Sequence, residues 1–218
     1  MSNEEVKEIQ EDNEAPLLLI DRESYLAAGV HIGTKLKTKY TEPWIYRTTS
    51  YGLFVINIDA TDSRLRIAGK FLSRFDPSKI LVCSVRRYGR QPIRKFAEVV
   101  GAKSMDKRFI PGILTNPMID EYFEADCVII VDPHADKQAL SEAKLARIPL
   151  VSLIDTDDTL DGVEFAIPTN NRGRKALSLI MYLLARQIQR EKGVIPPNGE
   201  LDVRLEEFES KITPVKDQ

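Results

Sequence analysis

The feature that most constrains the fold of this chain is a series of short apolar runs separated by amphipathic stretches. The runs are apolar at nearly every position rather than at every second one. That pattern is typical of strands that are covered on both faces of a sheet. The predicted strands are residues 53–58, 80–85, 127–131, 150–154 and 163–167.

Helices are predicted between and after these strands. In residues 60–75, apolar side chains recur at helical spacing, and three further helices are predicted from about Pro92, over residues 136–147 and over residues 171–192. The alternation predicts an α/β fold, a doubly wound and mainly parallel sheet of about five strands with helices on both faces. The link 155–162 is short for a parallel crossover, so an antiparallel or displaced last strand stays open.

The chain of 218 residues suits one domain with two tails. Residues 1–16 are acidic with few apolar groups, and we expect a disordered tail there. Residues 17–193 form the single α/β domain. Gly193 and the pair Pro196 and Pro197 end the last helix, and residues 194–218 are predicted to be a loosely attached tail.

Composition argues against several kinds of site. Cys83 and Cys127 lie in apolar runs and are predicted to be reduced, buried thiols. No Cys or His pair has zinc-site spacing, and no phosphate-binding glycine motif is present, so we expect no metal, no cofactor and no small-molecule substrate. The longest apolar stretch, 176–185, is too short for a bilayer, and the acidic start does not resemble a targeting peptide, which predicts a cytoplasmic protein without membrane contact.

The net charge of −2 conceals strong segregation of charge along the chain. Residues 31–108 carry 17 basic and 6 acidic side chains, and residues 169–193 carry 6 basic and 1 acidic. Residues 109–168, between them, have a net charge of −9. We therefore expect one surface that attracts a polyanion and another that faces solvent or basic neighbours.

Four basic clusters are candidate RNA contacts. The first interleaves cations with Trp44 and Tyr46, which suits phosphate contact with base stacking, although a solvated loop would have the same composition. The second follows one edge of a helix and could equally be a solvated face. The third precedes a helix at the expected carboxyl edge of the sheet, where open α/β folds bind ligands. The first cluster is Lys35, Lys37, Lys39 and Arg47, the second is Arg66, Lys70 and Arg74, and the third is Arg86, Arg87 and Arg90.

The fourth cluster opens the last predicted helix. It comprises Asn170, Asn171, Arg172, Arg174 and Lys175. Either asparagine could cap the helix, but cations in a first turn oppose the helix dipole. A bound anion, such as an RNA phosphate, would offset that mismatch, because free N–H groups at a helix start favour negative charge. An ordinary exposed helix start is the alternative.

One segment suggests an enzyme instead. Asp155, Thr156, Asp157, Asp158, Thr159 and Leu160 follow an apolar run. The segment is similar to the nucleophile motif of haloacid-dehalogenase-type phosphatases, which depend on magnesium. In that family the motif normally opens the domain and a later acidic pair holds the metal. Here only 58 residues follow Leu160, without an adjacent acidic pair, so a solvated acidic turn is favoured.

Several motifs in the same order resemble one family, the universal ribosomal protein S-two family, whose eukaryotic members are also called the SA or laminin-receptor protein. The resemblance covers residues 17–193. The matching segments are 25–34 (YLAAGVHIGT), 108–116 (RFIPGILTN), 132–139 (DPHADKQA), 148–158 (IPLVSLIDTDD) and 167–176 (IPTNNRGRKA).

The resemblance implies a flavodoxin-like fold and a structural role, without enzymatic activity, in the small ribosomal subunit. It also implies contacts to small-subunit rRNA and to neighbouring ribosomal proteins on the solvent side, where head and body meet. The helical insertion of bacterial members has no room in residues 34–51, and the long carboxyl-terminal extension of eukaryotic members is missing. The chain therefore resembles the archaeal type.

Overall fold

The computed structural model describes residues 18–211, so the predicted acidic tail 1–16 lies outside the described residues. Seven strands form two sheets. A two-stranded antiparallel hairpin lies beside a five-stranded sheet in which every neighbouring pair is parallel. The strands are β1 (Ile45–Thr48), β2 (Phe54–Ile56), β3 (Ile80–Cys83), β4 (Lys103–Met105), β5 (Cys127–Ile130), β6 (Leu150–Ile154) and β7 (Phe165–Pro168).

The five-stranded sheet has the order β4-β3-β5-β6-β7. This is the doubly wound order of the flavodoxin-like folds, with its switch point between β3 and β5. Every residue of β3, β5 and β6 is buried, which accounts for sequences that are apolar throughout in β3 and β5 and at every position but Ser152 in β6. The prediction of an α/β fold with a mainly parallel sheet is confirmed.

The membership of the sheet differs from the prediction at one strand. The run at 53–58 contributes β2 to the hairpin, and its last residue, Ile58, already begins a helix. The place at the sheet edge belongs instead to β4, whose Lys103 is exposed and whose other residues are half-buried. A short edge strand needs no apolar run, so the sequence pattern gave no sign of it.

The short link after β6 nevertheless makes a parallel crossover. Val151 of β6 is paired with Phe165 of β7 in parallel register, so the antiparallel alternative is excluded. Residues 155–164 contain no helix. They follow the face of the sheet that bears the helix Lys137–Ala146, and Lys144 Nζ of that helix lies 2.7 Å from Asp161 Oδ1. Without a helix to accommodate, ten residues are enough for the crossover.

Residues 18–211 form six α-helices, which are α1 (Arg22–Ala28), α2 (Ile58–Leu72), α3 (Arg90–Val100), α4 (Lys137–Ala146), α5 (Arg174–Glu191) and α6 (Leu205–Phe208). They cover the sheet unequally. One face carries α1, α2, α3, α5 and α6 over a large apolar core, whereas the other carries α4 and the irregular segment 106–126. No helix among the described residues has the length and apolarity needed to cross a bilayer.

Residues 194–211 are held firmly against the domain, which differs from the loose attachment predicted for 194–218. Phe208 is fully buried and its ring meets that of Tyr182 edge to face, with centroids 5.6 Å apart. Glu200 accepts hydrogen bonds from the buried Arg186 and from Tyr182. Phe208 is the fully buried anchor of this segment, and Leu201, Val203 and Leu205 pack beside it while remaining partly exposed. So few apolar residues among many charges give no clear periodic signal.

Candidate nucleic-acid interface

The loops that follow β3, β5, β6 and β7 meet at the carboxyl edge of the sheet, as expected for parallel strands. Acidic and basic side chains from these loops neutralise one another there. After β3, the guanidinium of Arg86 donates to Asp132, which follows β5 and is fully buried. Asp136 accepts the backbone N–H of Val85 at 2.8 Å. Arg86 is therefore tied to the sheet, whereas Arg87 and Arg90 are exposed.

The turn after β6 is bound to the segment after β7 in the same manner. Arg172 Nη2 donates to Asp157 Oδ2 at 2.7 Å. The buried Asn171 donates through Nδ2 to Asp158 Oδ2, also at 2.7 Å, and Asp158 Oδ2 accepts the N–H of Asp155 as well. Two of the predicted RNA contacts, Asn171 and Arg172, thus hold an acidic turn in place.

Burial changes the protonation of this edge. Desolvation raises the pKa of Asp136 and of Asp155 to about 7, and that of Asp158 to about 6. Hydrogen bonds from backbone N–H groups oppose the shift in each case but do not cancel it. The carboxyl edge is consequently only partly ionised at neutral pH, and the excess of acid in the sequence overstates its negative charge.

At the start of α5, two of the cationic side chains are paired with carboxylates of the same chain. Asn170 Oδ1 accepts the backbone N–H groups of Arg172 and Gly173 just before the helix, but the N-cap position is Gly173 and has no side-chain cap, so the prediction that an asparagine caps α5 is wrong. Arg174 pairs with Glu209 of the carboxyl-terminal segment, with Nη1 and Oε1 2.7 Å apart. The dipole mismatch is therefore offset by carboxylates of the same chain, and Lys175 is the exposed cation of this cluster.

The α2 cluster is spread along the helix instead of meeting the others. Arg66 pairs with the buried Asp62, while Lys70 and Arg74 are exposed. The helix begins beside β7, where Thr61 Oγ1 donates to the carbonyl of Pro168, and it runs back towards the start of β3. Arg74 therefore lies at the opposite edge of the sheet from Arg86 and Arg172.

The loop 33–44 is the most exposed of the basic clusters, yet its backbone is well anchored. Three threonines, a residue type that the charge pattern did not single out, fix it to the acidic turn after β6. Thr34 N–H donates to Thr156 Oγ1, Thr38 Oγ1 to the carbonyl of Asp158, and Thr41 Oγ1 to the carbonyl of Thr156. A Cβ at Gly33 would lie 2.5 Å from Thr156 Cγ2, so only glycine permits this contact.

This anchoring leaves the cations of the loop and of β1 directed outward. Lys35, Lys39 and Arg47 are exposed, and Lys37 pairs with Glu42 at the surface. The abundance of threonine between residues 34 and 41 was the available signal for the anchoring, but its partner is 115 residues or more away.

The arrangement of Asp155 and Asp157 is unsuited to a phosphatase nucleophile. Asp155 is 2% exposed, and its Oδ1 accepts the N–H of Thr156. Asp157 is held by Arg172. Within residues 18–211, no three or more His, Cys, Asp or Glu side chains are grouped so that they could hold a metal ion. Both carboxylates act in the turn, and nothing supports the phosphatase alternative.

Comparison with known proteins agrees with the motifs. The sequence model of the family described as "Ribosomal protein S2" matches residues 25–125 and 120–191. The small ribosomal subunit protein uS2 of Staphylothermus marinus is 53% identical over 194 residues, which cover 89% of this chain and 88% of that protein. The proteins of the same name from Thermofilum pendens and Saccharolobus solfataricus are 51% and 48% identical, each over 89% of this chain and over 91% and 84% of their own lengths. All three relatives are archaeal, and the chain belongs to the ribosomal protein S2 family, in its archaeal form.

Proposed function

We propose that this chain is a structural, non-catalytic component of the small subunit of the cytoplasmic ribosome, where it binds small-subunit rRNA and neighbouring ribosomal proteins. Its family is one of structural ribosomal proteins rather than enzymes. The observation that carries the proposal is the division of its cations into two sets. The side chains of one set are about a third exposed or less and are paired with carboxylates of the chain, whereas those of the other set are exposed to solvent on a well-anchored framework.

The exposed set supplies the direct phosphate contacts in this proposal. It includes Arg87 and Arg90 at the start of α3, where the N–H groups of the first turn also favour an anion. The paired set, Arg86, Arg172 and Arg174 among them, positions these loops. The remaining members of the exposed set are Lys35, Lys39, Arg47, Lys70, Arg74 and Lys175.

The experiment replaces Arg87 and Arg90 together with Glu and measures the occupancy of the chain in purified small subunits by sedimentation. Arg86 is left intact, because its loss would unpair the buried Asp132 and confuse folding with binding. We expect the double variant to be depleted from subunits. The matched control reverses Lys137 and Arg147, two exposed cations of α4 and its carboxyl-terminal cap on the opposite face of the sheet.

A second measurement isolates the electrostatic contribution to the affinity of the chain for rRNA. Binding of the full chain to rRNA weakens as salt rises, and each lost phosphate contact reduces the slope of log K against log salt by about 1. Absence of the unmodified chain from small subunits would contradict the proposed function. Normal occupancy of the Arg87 and Arg90 variant would contradict only their assignment as contacts.

A further inference from the structure

A groove with a volume of about 630 Å³ lies between α1 and the β1–β2 hairpin. Its floor is formed by β2 with the bridge between Ile32 and Val55, and its walls by α1 and the start of α2. Leu26, Ile32 and Tyr46 line it while 46%, 43% and 72% exposed. Exposed apolar side chains around one concavity, with a few polar groups among them, are the usual lining of a ligand-binding site.

The charge at this groove favours a polyanion. Asp59, the carboxylate in the lining, pairs with Arg22 across the rim. Arg47, also in the lining, has no carboxylate partner within residues 18–211 and is exposed. The exposed Lys35 lies in the adjoining loop. A basic protein would be repelled here, whereas a phosphate would be attracted to Arg47.

The aromatic character of the lining favours a base beside that phosphate. Tyr46 presents its ring at the surface of β1, next to Arg47. Burial, and then the charge of Arg47, lowers the pKa of His31, so this ring is neutral at pH 7. Cations interleaved with exposed aromatic rings are the combination by which proteins hold single-stranded RNA, with bases stacked and phosphates paired.

We propose that this groove binds an unpaired nucleotide of RNA, with the base against Tyr46 and the apolar floor and the phosphate at Arg47. The inference deepens the proposed function, since it identifies a single-stranded element as one part of the RNA that the chain contacts. An unpaired nucleotide is assigned rather than helical RNA, because bases that are stacked and paired in a helix are not free to enter a groove.

The test measures binding of the full chain to eight-nucleotide oligouridylate and oligoadenylate by fluorescence anisotropy, with an RNA duplex for comparison. We expect the single strands to bind more tightly than the duplex, and Tyr46→Ala and Arg47→Gln each to weaken single-strand binding about tenfold. Tyr51→Ala, a tyrosine of the same hairpin outside the groove, and Arg147→Gln are the matched controls and should remain within about twofold. Equal losses in variants and controls would overturn the proposal.

Two further measurements distinguish failure of the nucleotide site from failure of the proposed ribosomal function. Leu26→Trp fills the groove from the wall formed by α1, and unchanged binding of oligonucleotides by this variant would overturn the proposal. A photoreactive phenylalanine at Tyr46, in chains incorporated into small subunits, should cross-link to rRNA. A cross-link to a ribosomal protein, or none to RNA, would overturn the nucleotide site while incorporation itself upheld the ribosomal role.

Discussion

The starts of α3 and α5 have similar sequences and opposite surroundings. Both begin with arginines at the carboxyl edge of one sheet. At α5, Arg172 and Arg174 face Asp157 and Glu209 of the chain itself. At α3, Arg86 is bound by Asp132 but Arg90 points away and is exposed. The difference teaches that basic residues at a helix start identify an anion site only after the carboxylates of the protein have been assigned.

The largest expected effect concerns the segment that supports the start of α5. Phe208→Ala removes a fully buried ring and should lower the free energy of unfolding by about 4 kcal/mol, measured by chemical denaturation. Hydrogen exchange should then rise in the second turn of α5, where Ser178 Oγ donates to the carbonyl of Phe208. Val194→Ala, at an exposed position of the same segment, should change stability by about 0.5 kcal/mol or less. Comparable losses in the two variants would mean that the segment is not anchored at Phe208.

A smaller effect separates the two arginines of the α3 region. Arg86→Ala leaves Asp132 buried without its partner and should lower the free energy of unfolding by about 3 kcal/mol. Arg90→Ala should change it by about 0.5 kcal/mol or less, because the side chain is exposed. Thermal and denaturant unfolding of both variants check this difference. If Arg90→Ala proved as costly as Arg86→Ala, the division into paired and outward cations would be invalid at α3.

The smallest effect, counted for one carboxyl and one pH unit, is a pH dependence of stability that the two regions share. The folded pKa values of Asp136 and Asp158, about 7 and about 6, lie above the ordinary value of 3.8 because of burial. The folded state therefore binds more protons than the unfolded state between about pH 4 and 7. From these groups, stability should rise as pH falls through 7 and 6, by at most about 1.4 kcal/mol per pH unit for each carboxyl.

Unfolding of the unmodified chain and of Asp136→Asn between pH 5 and 8 tests this dependence. The variant should show a flatter profile, since its amide does not titrate. A profile for the unmodified chain that rises with pH over this range would show that the buried carboxyls are not shifted upward.

Much of the fold could be predicted because strands that are buried on both faces are apolar at nearly every position. β3, β5 and β6 are buried at every residue and are apolar apart from Ser152, whereas the edge strand Lys103–Met105 is too exposed to show such a pattern. Phe208 illustrates the same limit, since a single buried ring among charges has no period. The last crossover was left open because the usual length of such links assumes a helix that residues 155–164 lack.

The cations of the candidate interface could be predicted from the sequence, but their positions relative to one another and to their carboxylate partners could not. The sequence places Arg86 at the carboxyl edge of the sheet and Arg172 at the start of the last helix, and the structure brings both to the same edge. The sequence contains no sign that Arg86 pairs with Asp132 or that Arg172 pairs with Asp157. The partners are 46 and 15 residues apart, and the order of the strands decides whether they meet. The groove between α1 and the hairpin likewise combines Leu26 with Tyr46, which no local pattern connects.

The burial of α5 has a consequence for the synthesis of the protein. From Ala176 to Ile188 every residue of this helix is buried, against partners from α2, α3 and the carboxyl-terminal segment. The ribosome delivers the chain from its amino end, so only α1, α2 and α3 can cover the large face of the sheet until nearly all of the given chain has emerged. Contacts of such long sequence separation make folding slow and leave apolar strands open to aggregation. Newly made copies should therefore depend on chaperones until α5 is free to dock.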